Sequence, residues 1–83
     1  MSVNIDNVKS ISEFNEFLTN CSDTVLILLS NEVNSLYTNS YFPESGICLQ
    51  LLDRINDNNN TVTAMDICIP IALEYLHRNC MPF

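Results

Sequence analysis

Four cysteines, one histidine and ten carboxylates are the side chains of this 83-residue chain with the most chemistry to offer. The cysteines stand at 21, 48, 68 and 80, and no two form a Cys-x-x-Cys pair. Dithiol exchange needs a thiolate of lowered pKa at a helix N-terminus and a resolving thiol close by. Ser45-Gly46-Ile47-Cys48 has the shape of such a pair with serine in place of its first cysteine, so Cys48 is a candidate single thiol. Cys80, near the tail, is the second. The simpler reading of Cys48 is a small apolar residue on a helix opened by Gly46.

Cys68, His77 and Cys80 supply zinc-ligand types, and His77 and Cys80 are spaced to share a helical face. Structural zinc takes four ligands, usually in compact pairs, and the fourth here would have to be Cys48 or Cys21. No metal and no other cofactor is therefore expected. His77 reads instead as a polar residue near a helix C-terminus, where imidazole suits the helix dipole. His77 with Cys80 and Asp66 or Glu74 has the residue types of nucleophilic catalysis but no local signature of it. Asp66 reads better as a helix cap than as an acid-base group. The expectation is a non-enzyme.

These residues must be placed by local elements. Val3-Asn4-Ile5-Asp6 alternates and reads as a short strand. Ser10-Ile11-Ser12-Glu13 fits a capping box, followed by Ile11, Phe14, Phe17 and Leu18 on one helical face. Residues 24–29 hold five consecutive apolar side chains and read as a strand buried on both faces, as in a parallel sheet. Residues 30–44 read as a short helix and a loop, with Val33, Leu36 and Tyr37 at helical spacing. A further helix starts at Ser45 or Gly46, with Ile47, Leu51, Leu52 and Ile55 as its stripe and Asp53 and Arg54 facing water. The asparagine run 56–60 is a turn. Residues 61–66 read as a β-branched strand, and Pro70 suits the first turn of a last helix, with Ile71, Ala72, Tyr75 and Leu76 facing the core.

Strands alternating with helices imply a parallel sheet with right-handed crossovers. With Ser12 to Leu18 ahead of strand 24–29, and Met65-Asp66, Ile71-Ala72, Tyr75 and Met81-Pro82 towards the end, the chain resembles the thioredoxin-like superfamily. The resemblance implies an α/β fold of three layers, a central mostly parallel sheet of about three strands flanked by helices, spanning residues 1–83 as one truncated domain. It departs from the family in lacking Cys-x-x-Cys and the C-terminal hairpin. Without that hairpin, strand 24–29 would be a bare apolar edge. Such edges associate unless another chain or segment covers them. Val25, Ile27 and Leu29 are accordingly candidate interaction residues. Tyr37, Tyr41 and Phe42 join them as aromatic anchors beside adaptable polar groups, or else as satellite core.

The net charge of −7 leaves Lys9, Arg54 and Arg78 against ten acids. So few cations neutralise few phosphates, which argues against direct nucleic-acid binding, and an anionic membrane surface would repel the chain. A protein partner with a basic surface, one on a ribonucleoprotein included, or a second copy of the chain fits better. A single glycine excludes a glycine-rich phosphate loop. The first twenty residues lack the apolar core of a secretory leader, so a cytoplasmic setting with free thiols is expected. The function expected is a non-catalytic acidic assembly module, the alternative being a single-thiol redox protein of the thioredoxin or glutaredoxin kind.

Overall fold

A computed structural model describes residues 5–58 and 61–79. Four helices run through them: α1 (Ile11–Asn20), α2 (Asp23–Asn39), α3 (Ile47–Asp57) and α4 (Ala64–Asn79), with no strand among the described residues. The α/β sheet and the thioredoxin-like resemblance are therefore corrected to a small helical bundle.

Each supposed strand has a physical reason to be something else. In 24–29, Ser22 is an N-cap, its hydroxyl accepting from the Val25 N–H at 3.2 Å, and Asp23 adds a carboxylate to the first turn. A helix then splits the apolar run by face. Val25, Leu26 and Leu29 enter the core, while Ile27 and Leu28 remain exposed. The helix continues through 30–39, where Val33 is buried, and ends at Ser40 in the left-handed region, φ 69°. The Ser40 N–H donates to the Leu36 carbonyl at 2.8 Å, closing the last turn.

Residues 61–66 hold a helix start rather than a strand. Thr63 and Asp66 form a reciprocal cap: the Thr63 N–H donates to Asp66 Oδ2 at 2.9 Å and the Asp66 N–H to Thr63 Oγ1 at 3.4 Å. α4 thus begins six residues before Pro70, which lies inside it. The proline removes one ladder bond, and the helix persists because Ile67, Cys68 and Ile71 fill the core around it. Of the first expected strand, Ile5, Asp6 and Asn7 form a turn closed by the Val8 N–H on the Ile5 carbonyl at 3.0 Å. Residues 3 and 4 lie outside the described residues, as does Met81-Pro82.

α1 and α3 stand where spacing predicts helices. Ser10 caps α1 through the Glu13 N–H at 3.2 Å, and Glu13 Oε1 accepts from the Lys9 N–H at 3.0 Å. Phe14 and Leu18 of α1, with Cys48, Leu51 and Ile55 of α3, meet the buried faces of α2 and α4 in one core. Ile5, Val8 and Phe42 seal its ends. Arg54 does not simply face water: its guanidinium donates to the Asp6 carbonyl at 2.7 Å and holds the N-terminal turn on α3. Asn56 closes the α3–α4 connection by accepting from the Val62 N–H at 2.8 Å and donating to the Val62 carbonyl at 3.3 Å. α4 packs against the other three helices.

Candidate functional site

The thiols carry the chemical alternative. Cys48 is fully buried on α3 and its Sγ donates to the Leu29 carbonyl at 3.8 Å. Burial, and then the neighbouring Glu32 carboxylate, push its pKa far above the ordinary thiol range. A thiol held protonated is a poor nucleophile. Cys68 is buried on α4 and raised for the same desolvation reason. Cys21 is half-buried and raised by desolvation, opposed by Arg78, whose Nη2 donates to Cys21 Sγ at 3.8 Å. Cys80 lies outside the described residues. Ser45-Gly46-Ile47-Cys48 is a helix N-terminus, but its nucleophile position is serine and its thiol faces the core.

The zinc set does not come together among the described residues. Cys68 and His77 are nine residues apart on one helix, half a rotation, so Cys68 points inward and His77 outward. No three His, Cys, Asp or Glu side chains converge among the described residues. Glu74 and Asp66 are committed elsewhere, Asp66 to the α4 cap and Glu74 to Arg78 Nε at 2.7 Å.

Arg78 is a fastening point. Its Nη1 meets Asp23 Oδ1 at 3.0 Å, and its Nη2 donates to the carbonyls of Leu18 at 2.7 Å and Thr19 at 3.4 Å. One guanidinium therefore ties the C-terminus of α1, the N-terminus of α2 and the last turns of α4. The planar fork of donors makes this possible where a lysine would not.

The expected interaction residues separate by face. Val25, Leu29 and Phe42 are buried, whereas Ile27, Tyr37 and Tyr41 are exposed. With no strand among the described residues, there is no bare strand edge for Val25 and Leu29 to form. Tyr37 instead flanks a shallow groove of about 330 Å³ between α2 and α4, shared with Val33, Ile71, Tyr75 and Leu76.

The feature that sequence reasoning missed is the outer side of α4. Met65, Ile69, Leu73 and Leu76 are 46%, 50%, 61% and 58% exposed, and Ala72 lies exposed among them. They sit opposite Ile67 and Ile71, so α4 is apolar on both the inward and outward sides. A helix apolar all round is ordinarily covered all round. On one side the row is flanked by Asn15 and Thr19 of α1 with Glu74, His77 and Arg78 of α4 itself, and on the other by Ser30 and Asn34 of α2. Of the four residues expected to face the core from this helix, Ile71 is buried, whereas Ala72, Tyr75 and Leu76 are exposed, because the helix starts at Ala64 and Ile67 and Cys68 take the inward face with Ile71.

No protein-family model, no curated protein and no solved structure matches the chain. No helix among the described residues is long and apolar enough to cross a membrane.

Proposed function

We propose that the protein is a non-catalytic, acidic interaction module that enters a larger protein assembly through the outer side of α4. The observation that carries this reading is the row of exposed Met65, Ile69, Leu73 and Leu76 on a helix whose inner side is already packed. Contiguous exposed apolar patches on the order of 300–600 Å² or more are characteristic of interaction sites. Tyr37 and Tyr75 extend the row across the α2–α4 groove as amphipathic aromatic anchors.

The partner is protein, with a basic surface or a second copy of this chain. Both arginines are engaged within the fold, Arg54 on Asp6 and Arg78 on five groups, which leaves little positive charge for phosphates or an anionic membrane surface. A cytoplasmic setting is supported by the free thiols of Cys21, Cys48 and Cys68. The burial of Cys48 weighs against single-thiol redox chemistry there.

The test is the native size of the complex in the source cells. Ile69→Glu together with Leu73→Glu should leave helicity and melting unchanged, because both positions are exposed. The same pair should shift the protein to a smaller native size on gel filtration. An unchanged elution position for the folded variant would overturn the reading.

A further inference from the structure

No further inference is drawn: the strongest candidate, the shallow groove between α2 and α4 with the buried Ser30 hydroxyl at its wall, joins the apolar outer side of α4, and nothing in the structure shows what covers it.

Discussion

Glu32 acts on a helix other than its own. Its carboxylate leaves α2 and accepts from the N–H groups of Ile47 at 3.1 Å and Cys48 at 2.8 Å, the first two residues of α3. Gly46, the N-cap, has no side chain with which to do this. The absence of a Cβ is what admits the acid: one built on Gly46 would lie 2.5 Å from Glu32 Oε1 and 3.1 Å from the Pro43 carbonyl oxygen. A carboxylate at a helix N-terminus satisfies free donors and complements the dipole. Glu32→Gln should therefore cost about 1 kcal/mol, or a drop in Tm of roughly 4–8 °C for a domain of this size. Gly46→Ala should cost less in a Glu32→Ala background than alone, because its main clash is then gone. Thermal melts of the parent, Glu32→Gln, Glu32→Ala, Gly46→Ala and the Glu32→Ala/Gly46→Ala double variant measure both effects.

Cys48 gives a second test at this scale. Its proton is retained in the fold and lost from the unfolded chain above about pH 8.5. The contribution to stability is thus intact below that pH and falls as pH rises past it. Denaturation midpoints between pH 8 and 10.5 should decline, and less steeply for Cys48→Ala. The native protein should also leave Cys48 unmodified by a thiol reagent that modifies it in denaturant. Equal pH slopes would contradict the buried, protonated thiol.

At the level of elements, Pro70 is the clearest cost the fold carries. Inside α4 it lacks the N–H that would serve the Asp66 carbonyl. Pro70→Ala should raise stability by about 1–3 kcal/mol, with the upper end set by the interior proline penalty. Chemical denaturation of the two proteins decides the matter. A variant less stable than the parent would mean that the ring's packing outweighs the lost bond.

How much of each element could be read from sequence follows from the same physics. α1 and α3 were legible because Ser10 and Gly46 mark their starts and apolar residues recur at three and four against polar neighbours. α2 was not, since five apolar residues in succession satisfy a two-faced strand and a helix equally. Only the Ser22 cap and the Asp23 that follows it distinguish the two. α4 was mistaken at its start, where Thr61-Val62-Thr63 favours extended backbone and Pro70 imitates a first turn. That error concealed the outer row, whose first member, Met65, fell in a supposed strand. Tyr37 was named as an aromatic anchor beside polar groups, and the groove it flanks depends on α4. The Arg78 fastening, reaching Leu18 and Asp23 from the far end of the chain, has no local signature at all.

For the molecule as a whole, charge and apolar surface act against each other. Each copy carries −7, so two copies repel over the Debye length, about 8 Å at physiological salt. The exposed Met65, Ile69, Leu73 and Leu76 of α4 supply uncharged attraction. Self-association through them should accordingly strengthen with added sodium chloride, the reverse of what an acidic module bound to a basic partner would show. Sedimentation equilibrium of the chain isolated natively from its source cells, at low and high salt, tests the docking surface most directly. The expected result is a mass above 9.4 kDa for the wild-type chain, and a single-chain mass throughout for Ile69→Glu. A wild-type chain at the single-chain mass under all these conditions would contradict it.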